Sequence, residues 1–497
     1  MEKQTSILKL TNMAILGLIL SCFLLLFSGC VTVGPDYQAP ETNASSNWNS
    51  ELEKGLHAGP VDKEALASWW TTLKDPKLSK LIKMSLSGNL DLAMAKATLR
   101  EARARRGKTK AGLFPTLDAS ASYSRSKSSI DTGTGDEQDL YSAGFDSGWE
   151  LDIFGDVRRA LQAAQADLEA QRANLRDVWV SLSAEVALNY MEARTYQSRL
   201  DIARKNLRIQ KRALGLTESR VQAGLGTELE VQQAKYNLAD TRSRIPTLQA
   251  GLEAAKNRLA VLIGKQPGAV HQMLEQRKPI PTVPTRLAVG VPAETLRRRP
   301  DIRRAERSLA AQTARIGEAK SDLYPKFRLL GSIGLKTIQN EPDFFDSEYS
   351  FWSIGPSVSW NIFDAGAIRK NIEIQTARQE QEFVNYKQTL LLALEEAENA
   401  MTSFAREQER KKELMAASQA AQKAEKLAKD NYKAGLVDFI EVLNAQKAVL
   451  TFQDNLAQSK GAVASNLISL YKALGGGWQN LWEEESFRKT GENYDPD

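Results

Sequence analysis

Two cysteines and two histidines among 497 residues leave little reactive chemistry to place. Cys22 and Cys30 both lie close to the start, so neither a disulfide framework nor a thiolate metal site can be built from the rest of the chain. His57 and His271 stand far apart in sequence. There is no cysteine nucleophile, no Gly-rich phosphate loop, and no carboxylate pair that stands out from a charged background. An enzyme therefore lacks its parts, and no metal or organic cofactor is implied. A surplus of one charge is missing as well: 66 basic and 61 acidic residues leave a net charge of +5. A nucleic-acid binder would concentrate its basic residues, so this balance argues against that class.

Proline is absent from Val157 to about Gln222, where Gly215 is the only glycine. Leu161, Leu168, Leu175 and Leu182 recur every seven residues, as do Leu200, Leu207, Leu214 and Val221 after a shift of register. Phe383, Leu390, Ala397 and Phe404 repeat the spacing later. Such seams predict helices packed along their length, each rod roughly 100 Å long at about 1.5 Å per residue. Gly224-Leu225-Gly226 and Gly435 predict the turns from which shorter helices return.

The chain also begins with a targeting pattern. Lys3 and Lys9 precede an apolar run from Ile15 to Phe27, followed by Ser28-Gly29-Cys30. A cysteine after small residues resembles a bacterial lipobox, in which Cys30 would become the lipid-bearing first residue. Phe27 stands where leucine is usual. Val31, in place of aspartate, implies by resemblance a lipoprotein that is not kept at the inner membrane. An ordinary signal peptide or an N-terminal membrane helix, with an incidental cysteine, is the alternative.

The rest is a tandem repeat. Leu113-Phe114-Pro115 recurs as Leu323-Tyr324-Pro325, Ile153-Phe154 as Ile362-Phe363, and Ala223-Gly224-Leu225 as Ala434-Gly435-Leu436, all offset by 209 to 211 residues. The expected order in each copy is helix, strand, strand, long helix, helix. The expected boundaries are a signal over 1–29, a lipidated extended segment over 30–67, a first copy over 68–264, a proline-bearing linker over 265–292, a second copy over 293–475 and a tail over 476–497. Strands are expected at about 114–126, 141–153, 325–337 and 349–363, and helical hairpins at about 155–264 and 366–474.

The strands alternate. Tyr141, Ala143, Phe145, Trp149, Leu151 and Ile153 fall on one side, and Ser142, Asp146, Glu150 and Asp152 on the other. Trp352, Ile354, Val358, Trp360 and Ile362 oppose Ser353, Ser357, Ser359 and Asn361. This suits either a half-buried sheet or tilted transmembrane strands; the lipobox and the recurrence in four strands favour the membrane. Four strands cannot close a barrel. Two chains would give eight strands, a barrel filled by its own side chains, and three would give twelve, so a pore favours three chains or more.

At this point the sequence resembles the TolC-like outer-membrane efflux proteins, in particular the lipoprotein branch that serves resistance-nodulation-division pumps. The resemblance covers about residues 30–475 and rests on Cys30-Val31-Thr32-Val33-Gly34-Pro35-Asp36-Tyr37, Trp69-Trp70, Asp75-Pro76-Lys77-Leu78, Asn89-Leu90-Asp91-Leu92 and Leu296-Arg297-Arg298-Arg299-Pro300-Asp301-Ile302-Arg303-Arg304-Ala305-Glu306. It implies a mainly α fold with a membrane β-barrel. A homotrimer would form a twelve-stranded β-barrel on a twelve-helix α-barrel. The implied partners are a periplasmic adaptor (a membrane fusion protein), an inner-membrane transporter of the resistance-nodulation-division type and outer-membrane lipid. The implied function is passive conduction of small molecules; the outer component of a type I protein-secretion system is the alternative.

The resemblance also implies site residues. Family gates carry carboxylates at the positions of Glu441 and Asn444 and some an apolar ring at Ile440; this chain keeps one acid and has an amide at the other position. Tyr432 would tether the closed state by hydrogen bonding to a neighbouring helix, or simply pack between helices. Ala223, Gly224, Leu225, Ala434, Gly435 and Leu436 would be adaptor-docking tips, or plain turns. Asp146, Glu150 and Asp152 would line the lumen and bias it negatively, or be a wet lining. The Arg297–Arg304 cluster reads as solvated or ion-paired structure, with phosphate binding as the alternative.

Overall fold

The computed structural model describes residues 32–41, 47–59, 62–132, 135–284, 286–338 and 345–478. The signal segment, Cys30 and most of the tail lie outside them. Packing divides the chain into two units, one of Met1–Pro40, Leu99–Gln171 and Ala305–Tyr386, the other of Glu41–Thr98, Arg172–Arg304 and Lys387–Asp497.

The first unit is built on a four-stranded antiparallel sheet. Its strands are β1 (Thr116–Lys127), β2 (Glu137–Leu151), β3 (Lys326–Thr337) and β4 (Ser350–Ser359), paired in that order. Each copy supplies one hairpin, and β2 joins β3 across the copies. Pro115 and Pro325 stop the preceding helices, because proline cannot extend the helical ladder. Two strands end before the alternation does. Period two continues to Ile153 and Ile362, but the backbone leaves the sheet at Leu151 and Ser359. The next acids turn instead to the long helices. Asp152 accepts from the Val157 and Arg158 amides at 3.2 and 2.9 Å, and Asp364 from those of Gly366 and Ile368 at 2.8 and 2.6 Å. They satisfy orphan amides where the helix dipole favours an anion. These amide bonds hold the Asp364 carboxyl below its ordinary range.

Segment 32–41 is strapped to this unit. The Val33 amide donates to Phe154 O at 3.0 Å, and Arg159 donates to Val33 O and Gly34 O at 2.9 and 3.1 Å. Gly34 lies so close that an added Cβ would stand 2.3 Å from Gly317 Cα. The Tyr37 hydroxyl donates to Glu306 at 2.5 Å, and burial pushes its phenol above the ordinary range.

The helical hairpins begin in the first unit, up to Gln171 and Tyr386, and the rest of each belongs to the second. The long helices Asp156–Gln222 and Ala367–Lys433 have 67 residues each, and the returning helices Glu228–Leu262 and Phe439–Ala473 have 35 each. Leu66, Trp69, Leu73, Leu78, Leu81 and Ile82 are buried, with Trp69 stacked on Tyr471 at 5.5 Å between centroids. Each such side chain contributes about 1.5–3 kcal/mol. The buried Arg194 donates to the Tyr190 hydroxyl, which donates to Asp75 at 2.5 Å, while Asp75 caps the helix that begins at Pro76. Segment 30–67 is not purely extended: it carries a short helix, Lys63–Ala67, and Leu56–His57 pairs in parallel with Leu287–Ala288 of the proline-bearing segment. That segment also forms a helix, His271–Glu275. Among the described residues no helix is long and apolar enough to cross a membrane.

Candidate functional site

Register gives the sheet two unlike faces. Ala119, Phe145, Ile333 and Trp352 stand in one cross-strand row, and Trp149, Leu329 and Pro356 in another. On this face Leu117, Phe145, Ile333, Trp352, Ile354 and Val358 are 52–74% exposed. An apolar surface this continuous on a lone chain marks a contact with lipid or protein. Near one end of the ladder the rings of Tyr123 and Tyr141 lie 5.0 Å apart. Near the other, the Trp149 indole donates to Leu113 O at 3.0 Å, and Trp360 to Leu323 O at 3.1 Å. Tyr141 and Trp149 are eight residues apart, about 27 Å along the strand and about 20 Å after a tilt of about 40°. The apolar band of membrane barrels is roughly 25 Å tall, flanked by aromatic girdles.

The opposite face is polar. Asp118, Asp146, Ser332 and Ser353 share a row, as do Glu150, Arg328 and Ser357. Ser120 donates to Asp146 at 3.2 Å. Glu150 is paired with Arg328 at 2.9 Å, which offsets its charge and weakens the expected negative bias. Asp152 does not belong to this row. Its side chain is 8% exposed and is held by the helix amides and by Arg158 at 3.0 Å.

The helical turns are built alike. Gly224 and Gly435 have φ of +75° and +73°, a conformation that favours glycine. The Gly224 amide donates to Val221 O and the Leu225 amide to Arg220 O; Gly435 and Leu436 donate to Tyr432 O and Asn431 O in the same pattern. This pair of hydrogen bonds closes a helix with its orphan carbonyls satisfied. Ala223, Gly224, Leu225, Ala434, Gly435 and Leu436 are all exposed.

The helix starts after these turns differ. Thr227 and Glu230 form a reciprocal capping box. The matching pair in the second copy is Asp438 and Glu441, two acids, and Asp438 makes no side-chain cap. Phe439, Val442 and Leu443 are buried in a cluster with Ala234, and Tyr432 packs against it. Glu441 and Asn444 therefore fall on the exposed side, with Ile440 half-buried between. The Tyr432 ring lies 5.1 Å from that of Phe439, under the guanidinium of Arg220 at 4.9 Å. Burial pushes the Tyr432 phenol upward, so it stays neutral near pH 7.

The description "Outer membrane efflux protein" fits a family model that matches residues 81–265 and again 291–476. The chain belongs to the outer membrane efflux protein family. Nodulation protein T of Rhizobium leguminosarum bv. trifolii is 30% identical over 92% of this chain and 96% of its own length. Cation efflux system protein CusC of Escherichia coli O6:H1 is 30% identical over 92% of this chain and 98% of its own. The outer-membrane channel OprN is 38% identical over 90% of this chain and 99% of its own, with a TM-score of 0.84.

This efflux protein is thus an outer-membrane, TolC-like efflux component, mainly helical and made of two copies of one plan. The proteins it matches are channels and efflux components rather than enzymes. Its Arg297–Arg304 stretch is ion-paired in part: Arg299 reaches Asp301, Glu396 and the Ala473 carbonyl at 2.8, 2.7 and 2.8 Å, and Arg304 reaches Asp177 at 3.3 Å. Three features of the efflux protein escaped the sequence reading. Thr227-x-x-Glu230 is a legible capping signature, and Trp149 recurs as Trp360, but nothing marks Arg220 as the residue that covers Tyr432.

Proposed function

We propose that three copies of the chain close a twelve-stranded barrel through the outer membrane and a helical duct beneath it, passively conducting small molecules delivered by an adaptor and a resistance-nodulation-division transporter. The observation that carries this reading is the sheet. It has four strands, one exposed apolar face, and two edges, β1 and β4, whose backbone groups lipid cannot satisfy. Joining β4 of one copy to β1 of the next removes both edges. An acyl chain on Cys30 would supplement the barrel's own hold on the membrane. The test is native mass spectrometry of the purified chain with planar-bilayer recording. The expected result is a conducting trimer whose mature N-terminus is an acylated Cys30. A conducting monomer would refute the closure, and an unmodified N-terminus would remove the anchor.

The exposed acids at the second turn support a gate formed by Ile440, Glu441 and Asn444, with the six exposed tip residues as the adaptor's docking points. Glu441 is not held in a cap, unlike Glu230, and is free to face a symmetry axis. Tyr432 holds its hairpin through Phe439 and Arg220 within one chain. Glu441→Gln should lower cation preference severalfold in bilayer recordings, and Ile440→Ala with Tyr432→Ala, which removes the ring that meets Phe439 and Arg220, should raise basal conductance. If neither property moves, the constriction is elsewhere.

A further inference from the structure

We propose that the last three turns of the helix Leu90–Ala111 bind the phosphates of anionic phospholipid headgroups in the leaflet next to the periplasm. The proposal rests on the membrane-spanning reading above and extends it to a lipid class. These turns carry Arg100, Arg103, Arg105, Arg106, Lys108 and Lys110 against a single acid, Glu101. Only Arg105 has an ion pair among the described residues, with Glu101 at 2.7 Å. Arg100, Arg103, Arg105, Lys108 and Lys110 are exposed, and Arg106 Nε is buried without a hydrogen-bond partner.

The other copy of the repeat shows that this is not demanded by the fold. In the corresponding helix, Pro300–Ser321, Arg307 pairs with Glu169 at 3.0 Å and Arg315 with Asp167, and just beyond it Lys326 pairs with Asp156 at 3.1 Å. Favourable placement of cations at a helix C-terminus accounts for Lys108 and Lys110 but not for Arg100 or Arg103, which lie further back.

Position supplies the ligand. Leu113, three residues past Lys110, accepts the Trp149 indole bond, and β1 begins at Thr116 with its apolar face exposed. If Trp149 and Trp360 mark the interface, Lys110 sits at the level of the headgroups. Arg103 lies about 10 Å deeper along the axis. A headgroup layer is roughly 5–8 Å thick, and long cationic side chains reach several ångströms further to a phosphate. A cluster of this size beside a membrane segment fits an anionic lipid, with each cation strengthening binding by about fivefold.

The test uses the full chain as the purified oligomer, with phosphatidylglycerol or phosphatidylcholine added, and counts retained lipids by native mass spectrometry. Channel conductance of the same samples is recorded first, because loss of conductance in the unaltered protein would sink the membrane reading itself. The unaltered oligomer should retain phosphatidylglycerol over phosphatidylcholine. Combining Arg103→Gln, Lys108→Gln and Lys110→Gln should cut that preference by up to about a hundredfold, and raising the salt should weaken it. The matched variant Arg208→Gln, Lys211→Gln and Arg212→Gln removes the same charge from exposed positions elsewhere and should leave the preference intact. Equal retention of the two lipids, equal loss in both variants, or subunits that fall apart without any lipid preference would overturn the proposal. The last result would assign the cluster to contact with a second copy instead.

Discussion

Ile333→Arg should abolish insertion of the chain into the outer membrane. Ile333 lies mid-strand, in the row shared by Phe145 and Trp352, and is 61% exposed on the apolar face. An arginine facing lipid near the midplane costs about 2–4 kcal/mol per copy, and a closed oligomer repeats the cost in every subunit. Ser332→Arg, one residue earlier, points to the polar face beside Asp146 and Ser353 and should insert normally. Membrane fractionation and the yield of assembled oligomer would measure both. Normal insertion of Ile333→Arg with failure of Ser332→Arg would reverse the assignment of the two faces.

Arg299→Ala should lower the stability of the second unit by about 3 kcal/mol, the lower part of the range for removing one partner of a buried ion pair. The Arg299 side chain is 10% exposed and ties Asp301 and Glu396 to the Ala473 carbonyl near the end of Phe439–Ala473. The loss is limited because Glu396 is about a third exposed and keeps Lys472 at 3.1 Å. Burial alone would raise both acids, but the bonds and charge of Arg299 bring the Asp301 and Glu396 carboxyls below their ordinary values. Their contribution is therefore present above the unfolded-state pKa of each acid and is lost as pH falls through the lower folded-state values. Thermal melts from neutral pH into the acid range should show the unaltered chain losing stability while the gap to Arg299→Ala narrows. A constant gap would mean that Arg299 acts through packing rather than charge.

The sequence exposed what repeats at short range. Alternation named the faces of β2 and β4, seven-residue seams named the long helices, and glycine marked both turns. Each signal is local and periodic, and burial on one side enforces it. Alternation failed where it had no information about where the ladder stops: Asp152 has the right parity for the polar face, yet its carboxylate serves the helix amides. The second turn shows a different limit. Thr227-x-x-Glu230 and Asp438-x-x-Glu441 look alike as patterns, but only the first closes: the Glu230 amide donates to the Thr227 hydroxyl and the Thr227 amide to the Glu230 carboxylate, whereas Asp438 makes no side-chain cap. The cover that Arg220 provides for Tyr432 was illegible because it joins the two copies of the repeat across a large sequence separation.

The strap at residues 32–41 sets an order of events. Its docking groove takes Arg159 and Phe154 from the first copy and Gly317 and Glu306 from the second. Tyr37 and Glu306 are separated by 269 positions. A chain delivered across a membrane from its N-terminus presents this segment early, yet the groove is incomplete until residue 317 has followed. This segment is thus among the first to emerge and among the last to settle. A contact of such span forms slowly. It can therefore close only over a chain whose two copies have both arrived.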